Sequence, residues 1–424
     1  MKIVKGFELG KSVLSRRSDP AEGQEEQEAS VRQIVNEVRK RGDAALFEFT
    51  EKFDGVKLST LEVPKAEMAA AYGQVDDGIV SSLRLAAERI RSYHLGQKSS
   101  LLRESNKGGL GWLIRPLSRV GIHVPGFTAP LPSSVLMTVI PAKVAGVSEV
   151  VLVTPPRKEG GVSPLTLVAA DVAAVDRVFS LGGAQAIAAL AFGTESVPAV
   201  DKVCGPGNIY VTLAKKLLYG LVGVDGLQGP SEVLIIADAT ADPEYCAADF
   251  LAQAEHTSGS PVLVTISMDL ADRIVQEIER QLKELPHPEA ATQSIAKNGI
   301  VSVVESVEEA IELANLYAPE HLLLLADKAN TYIDQIRNAG CIVLGKKATV
   351  AMGDYVAGPS HVLPTGGTAR FASPLNVLDF VKLTSIIIVD DNSLRKLGPT
   401  VQALARAEGL EAHARAVEKR LKSG

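Results

Sequence analysis

Residues 318–321 read Ala-Pro-Glu-His, which sets the carboxylate of Glu320 beside the imidazole of His321. A carboxylate can polarise water, and an imidazole with an unperturbed pKa near ~6.5 moves protons at neutral pH. A helical pattern runs through 307–317 before the pair, and an apolar run over 322–325 follows it. Pro319 discourages the preceding residue from continuing the helix, so the pair is expected on the turn between helix and strand, a fixed and semi-exposed place. Taken alone, the same residues also describe a helix C-terminus whose histidine faces solvent.

A second group has the makings of a metal site. Asp242-Pro243-Glu244 reads as an N-cap with proline at the first helical position, opening a helix that continues to about residue 256. Near its end Gln253 and His256 are three apart and share a face. Downstream, Asp354 and His361 lie in a segment rich in Gly and Pro, where Asp354 offers an oxygen ligand and His361 either a ligand or a substrate contact. His413 follows on a C-terminal helical stripe, five residues after Glu408. Mixed nitrogen and oxygen ligands without thiolates suit Zn²⁺ or another divalent ion. Spacing alone is also compatible with separate surface and core residues.

Two strand-to-helix turns are rich in glycine, Leu181-Gly182-Gly183-Ala184-Gln185 and Cys204-Gly205-Pro206-Gly207-Asn208. Glycines let backbone N–H groups approach a phosphate, and the N-terminus of the following helix favours negative charge. Neither turn is GxGxxG, and no ribose-binding acid stands clearly about 20 residues on. Pro125-Gly126-Phe127 adds a third such turn. In a parallel sheet all three would line one crevice at the strand C-termini.

The elements that must position these residues alternate strand and helix. Strands are expected over 119–124, 149–154, 177–181, 200–204, 232–237, 262–266, 300–304, 322–326 and 341–344, with helices between most of them, for example over 133–145, 269–285 and 330–339. Such alternation implies parallel sheets with right-handed crossovers, and nine strands fit two linked α/β units better than one sheet. The expected organisation is an N-terminal arm over 1–18, a first α/β domain from 19–117 and 232–375, a second from 118–231 inserted in it, and a C-terminal helical tail over 376–424. The tail carries Leu404, Ala407, Leu410 and Ala414 on one stripe and is too small to be stable alone, so it should dock on another surface.

Composition narrows the classes. Of 424 residues 46% are apolar, 22% charged and only 4% aromatic, with a net charge of −6 and no basic block, which argues against nucleic-acid binding. No apolar run approaches ~18 residues and the N-terminus has no signal-peptide core, so a cytoplasmic protein without a membrane span is expected. Cys204, Cys246 and Cys341 lie far apart in apolar surroundings, as buried reduced thiols do.

Taken in order, GGAQAIAALAFGTESVPAVDKVCGPGN, GPSEV, LAQAEH, APEH and GDYVAGPSHVLPTGGTARF resemble the histidinol dehydrogenase family, and the resemblance runs from about residue 30 to the C-terminal helix. It implies two Rossmann-like domains and oxidation of L-histidinol to L-histidine in two NAD-dependent steps through an aldehyde, with bound zinc, in a homodimer. Residue by residue, it implies that Gln253, His256 and Asp354 bind zinc, with His413 in EGLEAHARAV as a fourth ligand from the other subunit. Glu320 and His321 match the acid/base pair. Ser231, His361 and Glu408 match substrate contacts, Glu408 again across the dimer, and the zinc ligands and the acid/base pair also line the substrate. Gln185 and Asn208 match NAD contacts.

The chain departs from that pattern at several points. His123 stands in Gly121-Ile122-His123-Val124-Pro125-Gly126-Phe127, where the family usually has a cofactor-contacting tyrosine, so a contact to NAD is expected from His123 instead. Ser360 replaces the usual asparagine before the loop histidine, Asp225-Gly226-Leu227-Gln228 replaces the more usual Asp-Met-Leu-Ala, and Thr257-Ser258-Gly259-Ser260 replaces a more acidic or prolyl stretch. These changes make a paralogous zinc and NAD dehydrogenase acting on a different primary alcohol the alternative reading.

Overall fold

The structure, a computed structural model, describes residues 1–16, 23–107, 109–126, 129–256 and 258–422; Phe127, Thr257 and the last two residues of the expected arm, 17 and 18, lie outside them. Strand β1 (Lys2–Lys5) and helix α1 (Phe7–Leu14) open the chain, followed by α2 (Glu25–Arg41), α3 (Asp43–Asp54), α4 (Lys65–Ala71) and α5 (Asp77–Leu101), then β2 (Ser105–Lys107) and β3 (Leu110–Pro116). A first alternation comprises β4 (Arg119–His123), α6 (Pro132–Ala145), β5 (Glu149–Thr154), α7 (Pro164–Val172), β6 (Arg177–Ser180), α8 (Gly183–Phe192), β7 (Lys202–Cys204), α9 (Ile209–Leu218) and β8 (Gly223–Val224). A second comprises β9 (Glu232–Ala237), α10 (Pro243–Ala254), β10 (Ser260–Thr265), α11 (Met268–Leu282), α12 (Glu289–Asn298), β11 (Ile300–Val303), α13 (Val307–Tyr317), β12 (His321–Leu325), β13 (Cys341–Leu344) and α14 (Val350–Tyr355). The chain closes with β14 (Val381–Ile387), α15 (Asp391–Ala407) and α16 (Glu411–Lys422).

Both alternations form parallel sheets with the same logic. One has the order β6-β5-β4-β7-β8 and the other β1-β11-β10-β9-β12-β13, so each alternation starts inside its sheet, at β4 or β9, winds one way and then reverses, with β1 added at an edge of the second. A strand covered by helices on both faces reads as an unbroken apolar run, as 233–237 does, and every residue of β9 is buried. Strand β1 pairs with β11, Lys2 opposite Ile300, so the N-terminal arm completes the sheet from which the intervening residues depart and to which the chain later returns. The fold is thus α/β with two Rossmann-like sheets, one inserted in the chain path of the other.

Helices α2–α5, expected to layer on the first unit, pack on the five-stranded sheet instead. Val31, Ile34, Val38, Leu46 and Phe49 share a core with Val151, Val153 and Phe179. Val80, Leu83, Ala87 and Ile90 do so with Val120, Ile122 and Ile140 on the other face. An apolar stripe at helical spacing states how much face is buried but not which sheet receives it. Chain continuity decides here, because only the short β2 and β3 separate α5 from β4.

The tail also differs from a purely helical one. Strand β14 runs antiparallel to β3, Val381 opposite Pro116 and Ile387 opposite Leu110. Helices α15 and α16 then fold on each other where Gly398 admits Val417 and Leu421; a Cβ on it would stand 3.1 and 3.0 Å from them. In this pair only Gly398, Ala405 and Ala414 are buried, leaving Leu397, Val401, Leu404 and Leu410 exposed. The helix expected over 330–339 is a 3₁₀ stretch, Ala329–Gln335. Among the described residues no helix is long and apolar enough to cross a membrane.

Candidate active site

Helix α13 ends at Tyr317, and Ala318 takes a left-handed conformation (φ 50°, ψ 65°) that turns the chain into Pro319, Glu320 and the first residue of β12, His321. The turn between helix and strand is where the sequence places the pair, but the pair is buried rather than semi-exposed: Glu320 and His321 are each 5% accessible. The neighbouring strand satisfies both. The main-chain N–H of Glu232 donates to Glu320 Oε2 at 2.7 Å, and His321 Nδ1 donates to the carbonyl of Glu232 at 3.2 Å. The same nitrogen lies 3.7 Å from Glu320 Oε2, and Nε2 lies 3.3 Å from Asp354 Oδ1.

These contacts set the charges. Burial pushes the Glu320 carboxyl up to about 8, against the pull of His321 and the Glu232 N–H. Burial works against a charged His321, but the carboxylates of Asp354 and Glu320 outweigh it and raise its pKa. For Asp354 burial is likewise outweighed, here by the hydrogen bond from His321 and the nearby His361 and His256, so its carboxyl stays below the usual range.

Around this core the structure gathers most of the expected residues. His256, exposed just past the end of α10, stands within electrostatic reach of Asp354 and His321. Gln253, on the last turn of α10, is buried with its amide nitrogen unpartnered. His361 donates from Nδ1 to the carbonyl of Asp354 at 2.7 Å, which leaves Nε2 to accept from the Ser134 hydroxyl at 3.1 Å. Ser231 precedes Glu232 and is partly buried. Glu408 and His413 stay apart from the cluster, exposed on the tail. Among the described residues of one chain, no group of 3 or more His, Cys, Asp or Glu side chains is placed to hold a metal ion.

The Leu181–Gln185 turn follows the edge strand β6, whereas the turns after β4 and β7 lie where the five-stranded sheet reverses its winding. Strands β4 and β7 are neighbours there, and a crevice outside their C-terminal ends is the usual ligand place in open α/β sheets. Gly205 is required: its φ is +104° and a Cβ would stand 2.2 Å from the His123 carbonyl. Asn208 caps α9 by accepting from the N–H groups of Tyr210 and Val211, and Gln185 is buried in the first turn of α8. His123 donates from Nδ1 to the carbonyl of Pro206 at 2.8 Å, while its Nε2 is buried without a partner.

The departures from the family pattern have structural partners of their own. Lys215, fully buried, forms an ion pair with Asp225 at 2.6 Å and donates to the carbonyl of Gly205 at 2.9 Å and to Gln228 Oε1 at 3.0 Å. Asp225 accepts from the Gly205 N–H at 2.7 Å. Gln228 thus locks the segment leading to Ser231 onto the turn after β7. Ser360 donates to the carbonyl of Met137 at 3.0 Å, holding the His361 segment on α6.

Two supporting residues escape a sequence reading. Glu232 anchors both members of the Glu-His pair through its main chain, and its only signal is an acid at the head of a wholly apolar strand. Asp249, one turn before Gln253, accepts from Thr349 and Val350 at the start of α14, the helix that carries Asp354.

Two reversing parallel sheets, a glycine-rich switch point on one and a buried carboxylate-imidazole cluster at the strand starts of the other, define an α/β protein whose side-chain chemistry is that of an enzyme. Comparison with known proteins narrows the class. A family model described as histidinol dehydrogenase matches residues 17–421. A histidinol dehydrogenase of Dehalococcoides mccartyi is 51% identical, covering 99% of this chain and 100% of the relative. Another, of Deinococcus radiodurans, is 52% identical over 93% of this chain and 91% of its own length. The crystal structure of histidinol dehydrogenase from Elizabethkingia anophelis superposes with a TM-score of 0.92 at 35% identity, covering 100% of this chain and 98% of that one. The chain belongs to the histidinol dehydrogenase family and is an oxidoreductase.

Proposed function

We propose that this protein oxidises L-histidinol to L-histidine through L-histidinal, as a zinc- and NAD-dependent homodimeric enzyme of histidine biosynthesis in the cytoplasm. The observation that carries the reading is the contact of buried Glu320 and His321, at 3.7 Å, and of His321 with the half-buried Asp354, at 3.3 Å, in a chain of this family.

The residues fit a divalent ion. Gln253 has a buried amide without a partner, His256 offers an imidazole, and Asp354 is held ionised. His413 of the partner subunit would complete the set, since within one chain it is exposed on a helix pair that leaves Leu397, Val401 and Leu404 uncovered. When bound, zinc would hold the substrate amine and imidazole and so fix the alcohol carbon. NAD would lie on the turns of Gly182 to Gln185 and Gly205 to Asn208, beside His123, and would accept each of the two hydrides.

The protons belong to the Glu-His pair. Because His321 Nδ1 is committed to the Glu232 carbonyl, Nε2, which lies 3.3 Å from Asp354 Oδ1, is the nitrogen that in the neutral imidazole takes the proton of the substrate hydroxyl as hydride leaves carbon and the aldehyde forms. Glu320, one oxygen fixed by the Glu232 N–H, takes a proton from the water that adds to the aldehyde while His321 returns its proton to the aldehyde oxygen; the hydrate then gives a hydroxyl proton back to His321 as the second hydride leaves, and the carboxylic acid so formed ionises to the carboxylate. Ser231 and His361 would contact the substrate from this chain, and Glu408 of the partner subunit from across the dimer. His123, Gln228 and Ser360 bond to Pro206, Lys215 and Met137, so these departures are accommodated within the fold, and the family match favours histidinol over another primary alcohol.

The test is NADH absorbance with L-histidinol, on zinc-loaded and on chelator-stripped protein. Two NADH per histidinol, abolished by stripping and restored by zinc, is the expected result. Zinc-loaded protein inert toward histidinol would overturn the reading in favour of a different alcohol.

A further inference from the structure

The catalytic pair hangs on Glu232, and Glu232 hangs on a residue 216 positions away. Arg16, at the end of the N-terminal arm, grips the Glu232 carboxylate with both prongs of its guanidinium: Nη1 donates to Oε1 and Nη2 to Oε2, the latter at 2.9 Å. Nη2 also donates to the carbonyl of Tyr317 at 2.9 Å, and the guanidinium carbon lies 3.4 Å from the centre of the Tyr317 ring. Tyr317 is the last residue of α13, immediately before the turn that delivers Glu320 and His321. Glu232 Oε1 accepts in addition from the N–H of Gly366 at 3.1 Å.

One residue therefore has its carboxylate held by Arg16 and its peptide groups holding the acid/base pair. We propose that Arg16 is a positioning residue for the Glu320–His321 pair, acting through Glu232 and Tyr317. The inference rests on the reading of that pair as the acid/base groups. Fork geometry matters as well as charge, because a bidentate guanidinium fixes the orientation of a carboxylate in a way that an ammonium does not. Without Arg16, Glu232 is a buried anion with no cation beside the Glu320 carboxyl, and the start of β9 must shift or take up a proton. Displacing reacting groups by about 1 Å costs on the order of 10²-fold in rate.

The experiment compares wild type, Arg16→Ala and Arg16→Lys in the histidinol assay, with zinc content and hydrogen exchange of the peptide spanning 229–236 measured on the same preparations. For Arg16→Ala the expected result is a kcat about 10- to 100-fold lower, KM for L-histidinol and zinc content within about twofold of wild type, and faster exchange at the start of β9. Arg16→Lys should recover part of the exchange protection and part of kcat. Wild-type kcat in folded Arg16→Ala, or a loss that follows zinc content instead, would overturn the proposal. If Arg16→Ala does not fold, Arg16→Lys decides: it keeps the charge but not the fork, and unchanged kcat and exchange in it would refute the positioning role. Absence of turnover by wild type would refute the functional reading, and the exchange comparison would still decide the role of Arg16.

Discussion

Asp249 accepts a hydrogen bond from the Thr349 hydroxyl at 2.7 Å, and the N–H of Val350 donates to the same oxygen at 3.1 Å. Asp249 lies one turn before Gln253 on α10, while Thr349 and Val350 begin the helix that carries Asp354. One carboxylate thus sets the spacing between two of the proposed zinc ligands. Asp249→Ala should weaken zinc binding by about 10- to 100-fold, as removal of outer groups at metal sites does. Competition with a chelator of known affinity measures this, and unchanged affinity in the folded variant would exclude the role.

The proposed acid/base roles of Glu320 and His321 are separable by experiment. His321→Asn should lower turnover by about 10² or more with zinc still bound, since general-base catalysis is typically worth that much. Glu320→Gln should slow oxidation of L-histidinal more than oxidation of L-histidinol, because only the first needs an activated water. Stopped-flow traces of the two half-reactions report the difference, and equal losses would contradict the assignment.

The proposed sharing of the site between subunits makes the tail matter twice. His413→Ala should lose zinc affinity by at least about 10²-fold, and a chain ending at residue 390 should be inactive and sediment as a monomer. Full zinc content in the first, or an active dimer in the second, would remove the tail from the site.

Acid sensitivity is expected from His123. Burial first, then the nearby Lys215 charge, lower its pKa to about 4 in the folded protein, against an ordinary value of 6.5. Between those values the unfolded chain binds the extra proton and the folded one does not, so stability falls as pH drops from about 6.5 toward 4, by roughly 3 kcal/mol at most. His123→Asn keeps a donor toward the Pro206 carbonyl and removes the titration. Urea midpoints across that range should therefore decline less in the variant; parallel declines would assign the acid sensitivity to other groups.

Much of this molecule is legible in its amino-acid order. Strand β9 spans 232–237 as expected, because a run of buried apolar residues bounded by polar turns has few other uses in an α/β sheet. Helix α10 begins where Asp242 and Pro243 place it, since capping is local chemistry. The chain order of the motifs by itself marks the family.

What sequence order could not decide is what depends on distance in space. Helices α2–α5 show where their apolar stripes are but not that Val31 meets Val151 or that Ile90 shares a core with Ile122. Strand β14 pairs with β3 across more than two hundred and fifty residues, and its identity comes from that partner, because a strand is stable only when paired. Arg16 and Glu232 leave no local mark of their ion pair. The residue types that can do chemistry were written in the sequence; the burial that shifts Glu320 and the hydrogen bonds that aim His321 arise only when two remote strands and the N-terminal arm meet.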